Sequence, residues 1–477
     1  MENFAVAERP PRDEAAHGAP GGPDIRGVLG GLFPDVAVPA PRAPGRRALI
    51  GAAQVAAVGV GVVLLLMRVP GRPSWDGIYG EDFWMFLPQA LQRPWQLFST
   101  YAGYEQLLPR LIAQFATYFP LPRAALVFAV SGALVGAGCG LFVFHASAGH
   151  VRSTPLRAVL GAALVLMPVA LMEVVDSGVG TPWYLLSATF WALLWRPRTR
   201  SGMAVAALMA FTTATSMVLA VLFLPLVAAR LIVLRQLREH AVTAGWLAGC
   251  LVQVPMVLSG YLSGQSRLNQ QPGSLGHSLA FYAHDVLLPS FGWHLALRLQ
   301  SAAGRTLATA GVAIALAAMV GAILRTQPAN RPFVVTAVLA GFVLSVSSTT
   351  LTPNVATHPV VLYLPGLESG SRYTVAPIFL LEAVAVVGVD HLLRRRADGN
   401  RRRVARLRPA MAVSALVLVL ASSWIADFRY AAFRSERNWN WAVIATRWRL
   451  ECGRPHTHEI VVHTAVIAQT LRCDRLR

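Results

Sequence analysis

ALIGAAQVAAVGVGVVLLLM, residues 48–67, is an apolar run without one charged side chain. About 20 such residues form a helix long enough to cross the hydrocarbon core of a bilayer. The run is too long for the apolar region of a cleaved signal peptide, and no small-residue cleavage site follows it. It therefore reads as an anchor retained in the chain. Further apolar stretches lie at 121–144, 158–173, 182–195, 202–215, 216–234, 242–260, 305–324, 332–348, 374–393 and 409–426. The fourth and fifth stretches are short, which suits tilted, irregular or partly re-entrant segments. The fifth and sixth are divided only by a weak break near Thr212–Ser216. The expected fold is all-α: a polytopic bundle of about 11 transmembrane helices (48–426). A disordered leader rich in Pro, Gly and Ala (1–47) precedes it, and a small tail (427–477) follows.

Composition agrees. Of 477 residues, 55% are hydrophobic and only 14% charged, with a mean hydropathy of +0.50, which excludes an ordinary soluble domain. A formal charge of +19 would point to nucleic acid if the basic residues shared one soluble face. Instead all 42 are Arg, and alternate connections carry Arg46/Arg47, Arg152/Arg157, Arg196/Arg198/Arg200, Arg230/Arg235/Arg238, Arg325/Arg331 and a run of eight from Arg394 to Arg408, while the opposite short connections 174–181 and 211–217 carry none. The positive-inside rule then places the N-terminus in the cytoplasm and the C-terminus outside. Between Asp76 and Glu368 every acidic residue except Glu239 falls on the outer side.

The first outer loop opens with WDGIYGEDF (75–83), three carboxylates among three aromatic rings at the membrane edge. Glu81, Asp82 and Asp76 are candidate general bases, because a partly desolvated carboxylate can be tuned to accept a proton from a hydroxyl. Capping of juxtamembrane helices, or plain hydration, is the competing account. YAGYEQLLPRL (101–111) reads as a loop leading into an amphipathic surface helix, with Arg110 either meeting a lipid phosphate or snorkelling. In EVVDSGVGTPWYLL (173–186), Glu173 and Asp176 close the third helix, where their charge opposes the helix dipole. GSRYTVAP (370–377) sets Arg372 and Tyr373 at the start of the tenth helix, as a phosphate contact or an interfacial anchor pair. His277, His284, Asp285 and His294 match no compact metal-ligand spacing. No P-loop, dinucleotide fingerprint, nucleophile elbow or zincin motif is present, so no cofactor is implied; a divalent metal at the acids stays open.

Cys452 and Cys473 flank the strand-like EIVVHTAVIAQTL in the tail, an oxidising location by this topology. A disulfide is the natural reading, with zinc held by His456, His458 and His463 as its rival. Cys139 and Cys250 lie inside apolar helices, where thiols pack.

EDF, YAGY-x-x-LLPRL, PWYLL and GSRY, spread over roughly 48–430, resemble segments of actinobacterial multi-spanning glycosyltransferases, and the layout resembles the GT-C superfamily. The resemblance implies a polyprenyl-phosphate sugar donor, a cell-envelope glycan or glycolipid acceptor, and catalysis by Glu81 or Asp82 at the outer face of the cytoplasmic membrane. Asp76 is an additional acid, and the tail is too small for a large carbohydrate-binding domain. A transporter or flippase of a lipid-linked or small polar solute is the alternative, with Glu382 the main ionisable group inside a helix.

Overall fold

The computed structural model describes residues 25–35, 44–69, 73–171, 173–352, 370–397, 403–429, 440–463 and 468–475. The rest of the leader and Glu368 lie outside them. The helices are α1 (Ile25–Gly30), α2 (Pro44–Arg68), α3 (Leu87–Gln92), α4 (Leu107–Ala116), α5 (Ala124–Ala146) and α6 (Thr154–Leu166). There follow α7 (Thr181–Leu194), α8 (Arg200–Ser216), α9 (Leu224–Val233), α10 (Ala241–Leu262), α11 (Leu275–Phe281) and α12 (Trp293–Ala303). The last are α13 (Arg305–Thr326), α14 (Arg331–Thr350), α15 (Arg372–Ala397), α16 (Arg403–Ala426) and α17 (Trp441–Cys452).

Among the described residues six of these, α2, α5, α10, α13, α14 and α15, are long and apolar enough to cross a membrane. α6 (13 residues) and α9 (10 residues) are shorter than the apolar stretches 158–173 and 216–234, whereas α7 (14 residues) matches its stretch and α8 (17 residues) exceeds it. Every residue of α7 is buried, so it forms the centre of the bundle, as expected of a helix apolar all round. A short helix that ends inside protein leaves carbonyls without partners. Two fully buried arginines satisfy them. Arg68 donates to Val165 O (2.6 Å) and Met167 O (3.0 Å) at the end of α6, and Arg230 to Leu193 O (2.6 Å) and Trp195 O (2.8 Å) at the end of α7. The break expected near Ser216 is present: Met217 is extended (φ −145°, ψ 111°), dividing α8 from the 3₁₀ turn Val218–Phe223 and α9.

Contacts sort the connections into two groups. At one end of the bundle Arg196 pairs with Glu239 (2.7 Å), which accounts for the one acid out of pattern, and Asp390 binds the backbone of Arg152 and Ser153. At the other, the acid end, segments 73–106, 173–180 and 370–373 meet.

Two expectations change. Residues 25–35 of the leader are not disordered: after α1, Leu32 and Phe33 are buried, Arg230 lies over the Phe33 ring (5.9 Å), and Asp35 bridges Arg196 (3.0 Å) and Arg198 (2.7 Å). Two apolar side chains and one acid suffice to dock a segment whose Pro and Gly content resembles that of a linker. The fold is also not purely helical, since β1 (Glu459–His463) pairs antiparallel with β2 (Ala468–Arg472), Ile460 opposite Leu471. Cys452 and Cys473 form a disulfide (Cα–Cα 5.2 Å), so they offer no thiolates to zinc.

Candidate active site at the acid end

Residues 74–86 follow a 3₁₀ turn (Ser74–Asp76) and then a π-helical turn (Asp82–Phe86) that runs into α3. Asp82 is fully buried. Its carboxylate accepts the backbone N–H groups of Gly178 (2.6 Å) and Val179 (3.0 Å), just before α7. A methyl group on Gly178 would stand 2.8 Å from Asp82 Oδ1, so the close approach requires glycine. Asp82 thus caps a helix start from a distant part of the chain, in the favourable sense of the helix dipole.

Three more acids do the same. Glu173 Oε2 accepts Arg372 N (2.9 Å) and Ser371 Oγ (3.0 Å) at the start of α15. Asp390 accepts Arg152 N (3.0 Å) and Ser153 N (2.8 Å) before α6, and Asp427 accepts Trp293 N (2.9 Å) and His294 N (3.1 Å) at the start of α12. The dipole conflict expected of Glu173 is resolved in this way: it lies after one helix but serves the N-terminus of another.

Glu81, also buried, accepts a hydrogen bond from Arg372 Nη1 (2.9 Å), whose Nε lies 3.8 Å from Glu173. Asp176, held at φ +55°, receives the Ser74 hydroxyl. Arg372 also lies 5.7 Å from the centre of the Tyr373 ring. Six predicted residues therefore converge: Asp76, Glu81, Asp82, Asp176, Arg372 and Tyr373.

Asp76 stands apart in one respect. It is half-buried, on the same short turn as Ser74, and its carboxylate makes no hydrogen bond or ion pair among the described residues. The other acids of the cluster are committed to backbone, to Arg372 or, for Asp176, to the Ser74 hydroxyl.

A cavity of about 80 Å³ opens beside Tyr373, walled by Trp183, Tyr104, Arg267, Thr352 and apolar side chains such as Val218 and Val257. Arg267 Nη1 donates to Thr352 Oγ1 (2.7 Å) and Tyr373 Oη (3.2 Å). Gly103 (φ +86°) closes one wall; a Cβ there would meet Ser266 at 2.4 Å. Tyr101 lies between Trp84 (5.7 Å) and Phe86 (5.9 Å), and burial, with Glu81 nearby, pushes its phenol above the ordinary value. Arg267 and Ser74 were not identifiable as site residues from the sequence, and Tyr101 was marked only as part of the YAGY motif. The YAGY motif was the only signal for this wall.

Arg110 is placed differently from a lipid-facing cation. It is buried, 3.4 Å from Glu105, donates to Gln89 Oε1 (2.8 Å) and covers Phe86 at 5.5 Å. Its role is to hold α4 against the acid turn. Burial pushes Glu105 up to about 7, with Arg110 opposing. His284 bonds Thr309 (2.9 Å), and His294 joins Asp427. Among the described residues no three His, Cys, Asp or Glu side chains are grouped to hold a metal. Neither a known family model nor a curated protein matches the chain, and function must be argued from this geometry.

Proposed function

We propose that the chain transfers a sugar from a polyprenyl-phosphate donor to a hydroxyl of a cell-envelope glycan or lipid, with inversion. The reaction takes place at the outer face of the cytoplasmic membrane, with the N-terminus inside and about eleven crossings. The observation that supports this reading is a guanidinium, Arg372, held by Glu81 and Glu173, next in the chain to Tyr373 of the aromatic-lined cavity, with Asp76 on the neighbouring segment making no hydrogen bond or ion pair of its own among the described residues. Asp76 takes the acceptor O–H proton as the acceptor oxygen bonds to the anomeric carbon. The carbon–oxygen bond to phosphate breaks, and the phosphate leaves with the electron pair. Arg372, oriented by Glu81 and Glu173, offsets the charge that grows on it. A membrane-borne carrier brings the donor to the bilayer surface, so no nucleotide-binding fold is required.

The test is transfer by purified chain from a synthetic polyprenyl-phosphate sugar to an envelope glycan. Asp76→Asn should lower it by ~10²-fold or more, the low end for loss of a general base. Full activity in that variant refutes the assignment. One observation favours transport instead: Glu382, buried within α15, has Oε2 without a hydrogen-bond partner among the described residues. Movement of the lipid-linked sugar across a bilayer without transfer would establish that second reading.

A further inference from the structure

The turn that carries Glu81 and Asp82 is gripped from its other side by the tail. Phe83 packs against two tail indoles, Trp441 edge-on at 6.0 Å and Trp448 stacked at 6.2 Å with 22° between the planes, and the two indoles meet each other edge-on at 5.3 Å. Both arrangements are ones that aromatic pairs prefer. Trp441 donates its indole N–H to Leu121 O (2.7 Å), and the Gln92 amide, at the end of α3, donates to the Thr470 carbonyl in the hairpin. Trp441, Trp448 and both half-cystines are buried in one core with Phe86 and Leu87. Among the described residues the tail has no separate core.

Neither partner in this contact is self-sufficient. The Asp82–Phe86 turn is π-helical, a geometry seldom stable without surrounding support and frequent at functional sites. α17 has 12 residues and each strand of the hairpin has 5, too few for independent folding. The disulfide, joining residues 21 apart, ties helix to hairpin and removes freedom from the open tail.

We infer that the Cys452–Cys473 disulfide is a maturation switch for the acid turn. Glu81 and Asp82 take their observed placement only after the tail has been oxidised and has closed on Phe83. Trp441 and Trp448 are positioning residues, acting through Phe83. Reversal needs a dithiol reductant: two electrons and two protons pass to the protein, giving two thiols, while the reductant becomes a cyclic disulfide. The consequence for catalysis rests on the proposed glycosyl transfer; the coupling of tail to turn does not.

Hydrogen exchange of the full-length chain in lipid nanodiscs separates the two. The oxidised chain is compared with chain reduced by dithiothreitol and blocked with iodoacetamide, and peptides 79–92 and 441–475 are followed. Reduction should speed exchange in both by at least ~10-fold while α5 and α7 stay unchanged. Trp448→Ala should release 79–92 with the disulfide intact, and Trp448→Phe, which keeps a stacking ring, should restore protection. Acceleration confined to 441–475 would show the tail to be a passenger and overturn the switch. If 79–92 is released but no variant or redox state ever transfers sugar, the switch stands and the proposed activity fails.

Discussion

Asp82→Asn separates a structural clamp from a catalytic base. In the native site one carboxylate accepts two backbone N–H groups, Gly178 at 2.6 Å and Val179 at 3.0 Å, with no exposure to solvent. Asparagine keeps one acceptor oxygen and turns an NH₂ group towards the other donor. One buried N–H then loses its partner, at about 1–3 kcal/mol, and the surviving bond loses its charge assistance, at about 1 kcal/mol. The sum of about 3 kcal/mol corresponds to roughly 10²-fold in a local opening equilibrium. Hydrogen exchange of a peptide covering 174–186 reads it directly, because the affected amides are the ones counted. Asp76→Asn, with no such bonds to lose, should leave the same peptide at the native rate while abolishing transfer. Unchanged exchange at Gly178 and Val179 in Asp82→Asn would refute the clamp and return Asp82 to the list of candidate bases.

Further outcomes are expected. Arg372→Lys should retain only part of the transfer rate and require more donor, because a point charge cannot serve Glu81, Glu173 and a phosphate together; native donor dependence in that variant would remove Arg372 from the phosphate site. Gly178→Ala, which sets a methyl group 2.8 Å from Asp82 Oδ1, should lower thermal stability and activity together, and an activity loss without a stability loss would contradict the packing argument. Glu105 carries a pH dependence: its folded value, about 7, lies above the ordinary 4.5. Between those values the folded state binds more protons than the unfolded one, so stability is greatest below about 4.5 and is lost as pH rises through about 7. The effect is at most roughly 3 kcal/mol. Glu105→Gln should flatten thermal unfolding over that interval, and a slope that survives the substitution would place the titrating group elsewhere.

Much of this architecture could be read from residue order. The apolar runs anticipated the helices long enough to cross a membrane, and the cysteine spacing anticipated the disulfide. What could not be read was commitment. Asp76, Glu81 and Asp82 differ little as letters in a loop. Only the fold shows that two amides face Asp82 and a guanidinium faces Glu81, leaving Asp76 with neither. Leu32 and Phe33 escaped for a related reason, since a two-residue apolar anchor has no periodicity to betray it. Arg110 misled because an amphipathic helix at a membrane edge looks the same in sequence whether its cation turns outward to lipid or inward to Glu105.

Distant capping also constrains how the chain is made. The amides before α6 wait for Asp390, 237 and 238 residues further on, and the start of α12 waits for Asp427, 133 and 134 residues away. During synthesis those amides reach the membrane long before their acceptors leave the ribosome. A chain halted near residue 385 would hold α6 in place with the two amides before it unanswered, however well its apolar surface were packed. Nascent chains of intermediate length should therefore be the ones that membrane chaperones and proteases engage, and C-terminal truncation should shorten the lifetime of helices inserted hundreds of residues earlier.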